Sequence, residues 1–167
     1  MVVIPTRKTI KSRQTLFQGH SIISLDVKSR FILPAKFRKN IPIECNNQLI
    51  LTRGIDECIK LYPKNIWDEK VMHGLMQLNS MQSNARKFVR EILYYVNEVE
   101  VDSQGRILIS PQLMKFAGFD KEIEIIGTIE SIEIWNPKTK EKLDNEQSVS
   151  YGELAEKISE LNVDIRL

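Results

Sequence analysis

The sequence contains few of the side chains that bind metals tightly. Its 167 residues include two cysteines and two histidines. Cys45 and Cys58 lie thirteen residues apart, and no C-x-x-C pair is present. A structural zinc site needs four such ligands at short, regular spacing. We therefore predict no metal and no other cofactor, and we expect both thiols to be free and buried in a reducing compartment.

Long apolar runs are also missing. No segment approaches the roughly 18 consecutive apolar residues of a membrane-spanning helix. The N-terminal segment MVVIPTRKTIKSRQT lacks the apolar stretch of a secretory signal. These absences predict a cytoplasmic protein with no membrane partner.

Motifs of common enzyme classes are absent as well. The chain has no G-x-S-x-G, H-E-x-x-H, G-x-x-x-x-G-K-[ST] or G-x-G-x-x-G segment, and it has only seven glycines. A hydrolytic site built from Ser21, His20 or His73, and Asp26 is the remaining catalytic alternative. Because isolated histidines belong more often to a surface or a core than to a catalytic site, we predict that the chain is not an enzyme.

The charge that the sequence does carry is unevenly placed. The net charge is +2, but residues 1–40 contain nine Lys or Arg and the single acid Asp26, so that residues 41–167 sum to −6. Clustered cations attract polyanions through the release of counterions, as in nucleic-acid-binding proteins. Residues 1–15 lack apolar periodicity, and we expect them to be a basic, disordered extension.

The most informative feature is a repeated segment. LDVKSRFILPAKFR begins at residue 25, and VDSQGRILISPQLM begins at residue 101. Alignment at an offset of 76 places Asp26 on Asp102 and Arg30 on Arg106. Apolar and polar residues alternate before each Asp, and a short apolar run follows each Arg. We predict the same unit twice: a strand, a D-x-x-x-R loop, a second strand, a short helix that begins at a proline, and a hairpin.

Helical periodicity occurs outside the repeats. Apolar residues recur at helical spacing twice between the repeats and once after them: Trp67, Val71, Leu75 and Leu78; Ala85, Phe88, Val89 and Ile92; Leu154, Ala155, Ile158 and Leu161. Such stripes indicate helices that pack against other elements. The predicted organisation is an extension at 1–15, a first repeat at 16–63, a helical connector at 64–92, a second repeat at 93–136 and a helical tail at 137–167.

These motifs resemble those of one bacterial family. The paired D-x-x-x-R loops and the segments LPAKFR, LTRGID-x-C-x-x-LYP and DSQGRILI are similar to those of the MraZ transcriptional regulators. The resemblance covers about residues 16–143. It implies an α+β, mostly β fold, in which two AbrB-like, swapped-hairpin (double-psi-like) units form one small β core with peripheral helices. It also implies a nucleoid-associated homo-oligomer, a ring of about eight or more subunits, that binds double-stranded DNA. The implied target is a set of promoter direct repeats upstream of its own cell-division and cell-wall operon.

The sequence departs from this family in two places. Lys28-Ser29-Arg30 stands where family members usually have Lys-Gly-Arg. Family members usually begin near Leu16, which makes residues 1–15 an extension.

The D-x-x-x-R loops contain the predicted DNA-binding residues. A carboxylate that accepts hydrogen bonds from loop N–H groups or from the Arg fixes the loop, which is the role expected of Asp26 and Asp102. A guanidinium held in this way can donate two hydrogen bonds to guanine or to a phosphate. The alternative is an Asp–Arg pair that only stabilises the turn. The predicted DNA contacts are Lys28, Arg30, Lys36, Arg38, Gln104 and Arg106.

The two repeats differ in charge. Residues 26–39 have a net charge of +4, whereas residues 102–115 have a net charge of +1. We therefore expect the first loop to contribute more to DNA binding, so that Arg30→Ala weakens binding more than Arg106→Ala.

Two other binding functions remain open. One is an antitoxin-like AbrB-type module that acts mainly by binding a protein partner, although such modules usually resemble a single copy followed by a disordered acidic tail. The other is a structural ring protein without affinity for DNA. Retention on heparin, followed by a salt-sensitive shift with promoter DNA, separates DNA binding from both alternatives.

Overall fold

A computed structural model describes residues 16–161, 163 and 165. The predicted extension, residues 1–15, lies outside the described residues. The chain divides into two compact units after Asn136. The first unit contains both predicted repeats and the connector, and the second unit contains the tail.

The first unit is built from eight short strands with helices between them, as the repeat pattern predicts. The strands are β1 His20–Ser24, β2 Arg30–Ile32, β3 Gln48–Arg53, β4 Ile59–Pro63, β5 Asn97–Glu100, β6 Arg106–Leu108, β7 Glu122–Gly127 and β8 Ile132–Trp135. The α-helices are α1 Ala35–Arg38, α2 Lys64–Ile66, α3 His73–Met76, α4 Ser83–Tyr94 and α5 Pro111–Ala117. A 3-10 turn spans Ile43–Cys45, and a π-helix spans Trp67–Met72. The α+β fold class is confirmed.

The strands pair mostly between the repeats. Six strands form an antiparallel sheet in the order β1-β7-β8-β4-β3-β5, and β2 pairs with β6 in a separate two-stranded ladder. The predicted hairpins, β3–β4 and β7–β8, each lie within one repeat. In contrast, β1 pairs with β7, β5 pairs with β3, and β4 pairs with β8. Each repeat therefore completes its sheet with strands of the other, which agrees with two interleaved, swapped-hairpin units.

The core follows from the alternation within these strands. Phe31 and Ile107 face each other in the β2–β6 ladder and are buried. The apolar residues of the second hairpin are buried in the same core: Ile123, Ile125, Ile132 and Ile134. Burying one such side chain contributes about 1.5–3 kcal/mol. The strands thus supply most of the core, and α1 and α5 cover it with Phe37 and Leu113.

The connector contains two helical segments, as predicted from its apolar stripes. The first runs through α2, the π-helix and α3, and the second is α4. Trp67 is buried and lies 5.5 Å from Tyr62, measured between ring centroids. The π-helix was not predicted, because single-sequence periodicity does not separate i→i+5 from i→i+4 hydrogen bonding.

The described part of the second unit contains two helices. They are α6 Pro137–Glu146 and α7 Tyr151–Ser159. The predicted stripe at Leu154, Ala155 and Ile158 lies on α7, whose first turn is closed by a capping box between Ser150 and Glu153. Neither helix contains a buried residue. Within the described part of the chain, no helix has the length and apolarity needed to span a membrane.

Candidate nucleic-acid interface

The first D-x-x-x-R loop is organised around the Asp26 carboxylate. Its Oδ1 accepts hydrogen bonds from the backbone N–H groups of Lys28 (2.9 Å) and Arg30 (3.0 Å). Its Oδ2 accepts from Nε of Arg30 at 2.8 Å and lies 2.8 Å from Nη2 of the same guanidinium. The carboxylate therefore holds both the loop backbone and the arginine side chain.

The second loop repeats this geometry. Oδ1 of Asp102 accepts from the backbone N–H groups of Gln104 and Arg106, both at 2.9 Å. Oδ2 accepts from Nε of Arg106 at 2.7 Å. In both loops the hydrogen bond from the arginine backbone N–H is the main cause that lowers the pKa of the Asp carboxyl, and partial desolvation opposes it. Both carboxylates are therefore ionised at neutral pH.

A left-handed residue closes each loop. Ser29 has a φ of 59°, and Gly105 has a φ of 76°. Their N–H groups donate to the carbonyl oxygens of Asp26 (3.0 Å) and Asp102 (2.9 Å). Glycine adopts this conformation without steric cost, whereas other residues seldom do. Ser29 therefore keeps the same turn as Gly105 at some cost in backbone strain.

The β2–β6 ladder places both arginines on one surface. In its register, Arg30 faces Leu108 and Ile32 faces Arg106, on either side of the buried central pair. Arg30 and Arg106 are thus diagonal neighbours on the outward face, with Cα atoms about 7–8 Å apart. The two aliphatic residues between them, Ile32 and Leu108, are 55% and 54% exposed. We call these four residues the ladder face.

The remaining predicted contacts lie around the two loops. Lys28 and Gln104 are exposed at equivalent positions of the first and second loop. The Lys36 ammonium donates to the backbone carbonyl of His20 at the start of β1 and lies 5.1 Å from the Phe37 ring centroid. Lys36 is therefore engaged with β1 and not with a loop.

Arg38 lies against the second loop, although it belongs to the first repeat. A Cβ atom on Gly105 would come within 2.6 Å of Nη1 and 2.9 Å of Cζ of the Arg38 guanidinium. The repeat alignment assigns Arg38 to the first loop, so sequence reasoning missed this placement. One sequence feature could have pointed to it: the second repeat has Gly105 where the first repeat has Ser29.

Three of the groups considered for catalysis, Ser21, His73 and Asp26, have other partners. The Ser21 hydroxyl donates to the backbone carbonyl of His20 at 2.8 Å, and the His73 ring contacts the Gln77 amide at 2.8 Å. Asp26 is occupied by Arg30, as described above. Among the described residues, no group of three potential ligands could hold a metal ion. Both cysteines are free and buried, as predicted.

A cleft of about 710 Å³ lies between the β3–β4 hairpin and α4. Two of its cations are paired: Arg53 contacts Glu91 at 2.9 Å, and Lys60 contacts Glu133 at 3.3 Å. Burial raises the pKa of the Cys58 thiol in this cleft to about 12, so the thiol stays protonated and unreactive at neutral pH. We assign no chemistry to the cleft.

Comparison with known proteins gives one consistent family. The family model described as "MraZ protein, putative antitoxin-like" matches residues 16–91 and 93–160. A protein named "Transcriptional regulator MraZ" from Clostridium acetobutylicum is 42% identical over 149 residues, which cover 89% of this chain and 100% of the relative. Proteins of the same name from Clostridium tetani and Cytophaga hutchinsonii are 38% and 36% identical, covering 89% and 84% of this chain and 100% and 93% of the relatives.

Proposed function

The chain belongs to the MraZ family, and on that basis we propose that it is a transcriptional regulator that binds double-stranded DNA through the ladder face and its two flanking loops. The observation that carries the proposal is the shared surface of Arg30 and Arg106, each held by an ionised Asp. A two-stranded β-ribbon fits the major groove of B-DNA. The chain thus presents two fixed guanidinium groups on an element of suitable size.

The chemistry of each loop suits DNA recognition. Asp26 occupies Nε of Arg30 and one donor of Nη2, which leaves the outer edge of the guanidinium free to donate. That edge can form two hydrogen bonds to O6 and N7 of guanine, or to a phosphate. Because the Asp fixes the side chain before binding, less conformational entropy is lost in the complex. The proposed interface also includes Lys28 in the first loop, Gln104 and Arg38 at the second loop, and Lys36 beside β1.

Assembly into a ring is the second part of the proposal. It rests on the family resemblance and is supported by apolar surface that one chain leaves exposed. On α4, Phe88, Leu93 and Tyr94 are exposed, and Leu154 and Ile158 are exposed on α7. Strands β1 and β5 are the two edges of the six-stranded sheet. Neighbouring subunits in a ring of about eight or more copies would cover such surfaces.

A ring determines what kind of DNA site is preferred. Many copies of a weak contact, linked in one particle, bind spaced sites at high effective concentration. Such avidity favours a set of direct repeats. The family resemblance implies that these lie in the promoter of the protein's own cell-division and cell-wall operon, bound by a cytoplasmic, nucleoid-associated regulator.

A mobility-shift assay tests this function. The full chain is titrated into duplex DNA from upstream of its own gene, with an excess of unrelated duplex as competitor. We expect a shift that survives the competitor and that weakens steeply between low and moderate salt. Absence of a shift, or equal competition by unrelated DNA, would overturn the proposal.

A protein partner is the second candidate function. The words "antitoxin-like" in the family description favour it, as does the apolar surface of α4 and α7. If the chain acts mainly through such a partner, Arg30→Ala would leave the partner complex intact. The variant would then lose DNA affinity but still regulate transcription in cells.

A further inference from the structure

The position of Arg38 links the first repeat to the second loop. Helix α1 ends at Arg38. Leu33, which lies just before this helix, donates its backbone N–H to the carbonyl of Gly105 in the second loop (2.9 Å). This bond brings the end of α1 over Gly105, whose backbone is buried although it lies in a surface loop. The Arg38 guanidinium therefore covers Gly105 from outside.

The charge of Arg38 is not neutralised where it lies. Arg38 is exposed, and within the described part of the chain its guanidinium has no acidic side chain within ion-pair distance. Asp102, the nearest acid in the loop sequence, is occupied by Arg106 at 2.7 Å. A second guanidinium beside an already paired Arg–Asp unit gives the loop a surplus positive charge. Such a surplus is suited to an anionic ligand.

The comparison of the two loops changes when each charge is assigned to the loop that it lies beside in the structure. The first loop contains Asp26, Lys28 and Arg30, with a net charge of +1. The second loop contains Asp102 and Arg106, and Arg38 brings it to the same +1. Over the longer segments, 26–39 and 102–115, assigning Arg38 to the second one changes the net charges from +4 and +1 to +3 and +2, so the difference that the sequence predicts becomes smaller.

We propose that Arg38 and Arg106 form one composite DNA contact, so that each chain presents two loops of equal strength. This inference rests on the proposed DNA-binding function and adds to it which residues contact DNA at each loop. Arg38, contributed by the first repeat, supplies in the second loop the cation that Lys28 supplies in the first. Gly105 makes this arrangement possible, because a Cβ at this residue would occupy the space of the Arg38 guanidinium.

The residues equivalent to this pair support the assignment. The repeat offset places Met114 at the position of Arg38 and Ser29 at the position of Gly105. The uncharged Met accompanies a residue with a Cβ, and the Arg accompanies a residue without one. A role for Arg38 that is limited to packing of its aliphatic stem would be largely met by Met, and this gives the test its main variant.

The test is a double-mutant cycle on DNA affinity, measured by fluorescence anisotropy with a duplex that contains a single site from upstream of the gene. Arg38→Met keeps an unbranched, flexible side chain and removes the guanidinium with its charge, and Arg106→Ala removes the partner. We expect each variant to weaken binding by about 5- to 150-fold. Because the two side chains serve one contact, the double variant should lose clearly less than the product of the two single losses.

Three further variants serve as controls for this result. Lys39→Ala removes one positive charge from the residue next to Arg38. The factors by which Lys39→Ala and Arg106→Ala weaken DNA binding should multiply in the double variant. The combination of Arg38→Met with Arg30→Ala should also be multiplicative, because these residues serve different loops. Arg38→Lys keeps the charge and should retain most of the affinity. All variants should keep the wild-type melting temperature and oligomer mass.

The outcomes separate this inference from the proposed function. Wild-type affinity in Arg38→Met, or fully multiplicative losses with Arg106→Ala, would overturn the composite contact. The proposed function would stand in that case if Arg30→Ala still lost binding. A wild-type chain without preference for its upstream DNA would overturn the proposed function itself.

Discussion

Leu33 donates its backbone N–H to the carbonyl oxygen of Gly105 at 2.9 Å, and the equivalent bond joins Ile109 to Ser29 at 3.0 Å. Each D-x-x-x-R loop is therefore closed by the strand end of the other repeat. The two loops form together, because neither repeat contains all the partners that fix its own loop. This mutual support explains why two loops that differ in sequence have the same geometry.

The close contact of Gly127 with the N-terminal segment gives a prediction for stability. A Cβ at Gly127 would lie 2.4 Å from the backbone N of Gln18 and 2.5 Å from the carbonyl carbon of Phe17. Because backbone atoms cannot move aside easily, Gly127→Ala should lower the free energy of unfolding by about 2–3 kcal/mol. Chemical denaturation measures this change.

Gly74→Ala is the matched control for that variant. Gly74 lies in α3, and nothing stands within 4 Å of its added Cβ. Alanine is the better helix former, so this substitution should raise stability by about 0.5–1 kcal/mol. Equal effects of the two substitutions would contradict the packing described for Gly127.

The ionised loop carboxylates predict a pH dependence of stability. Hydrogen bonds lower the folded-state pKa of Asp26 and Asp102 below the ordinary value of 3.8. Their contribution to stability is therefore present above pH 3.8 and is lost as the pH falls through the lower folded-state pKa. Thermal melts of the wild type and of the Asp26→Asn/Asp102→Asn variant should differ at neutral pH and converge in acid. A gap in melting temperature that stays constant down to about pH 2 would contradict this role.

The pairing of Arg38 with Gly105 can be transferred to the first loop. Ser29→Gly/Met114→Arg recreates the same pair at the equivalent positions, and it should increase DNA affinity by about 5-fold or more. Met114→Arg alone should gain less, because Ser29 carries a Cβ where the equivalent Gly105 leaves room for the Arg38 guanidinium. Anisotropy titrations of both variants compare the two gains. A gain that does not depend on Ser29→Gly would show that general charge, and not loop geometry, determines affinity.

The proposed ring predicts a strong preference for tandem sites. Once one site is bound, the second contact forms within the same particle, so tandem direct repeats should bind about 100-fold or more tightly than a single repeat. A duplex with about five extra base pairs between the repeats is the control, because half a helical turn rotates one site away from the protein. Equal affinity for single and tandem sites would contradict a multivalent particle.

The sequence alone predicts the elements of this fold but not their pairing. The alternation before each Asp and the prolines at Pro34 and Pro111 are local signals, and the structure confirms strands and short helices at these places. Pairing of β1 with β7, or of β2 with β6, depends on contacts between residues 74–106 positions apart, which no local pattern encodes. The swapped arrangement could be expected only from the family resemblance.

The candidate site shows the same limit. The hydrogen bonds of Asp26 and Asp102 within their own loops could be predicted, because donors and acceptors lie within four residues of each other. The position of Arg38 could not, because summing charges along a segment assumes that neighbours in sequence are neighbours in space. The cross-repeat bond from Leu33 to Gly105 breaks that assumption.

The measurement that tests the central claim most directly is the specificity ratio of two single variants, that is, the affinity for the upstream duplex divided by the affinity for an unrelated duplex. For Arg30→Ala and Arg106→Ala, affinities for the upstream duplex and for an unrelated duplex are measured at the same salt concentration, with melting temperature and oligomer mass as controls. Two equivalent loops on one ladder face predict that both variants lose the same factor in the ratio, about 5- to 150-fold. An unchanged ratio in either variant, with its structure intact, would contradict the account.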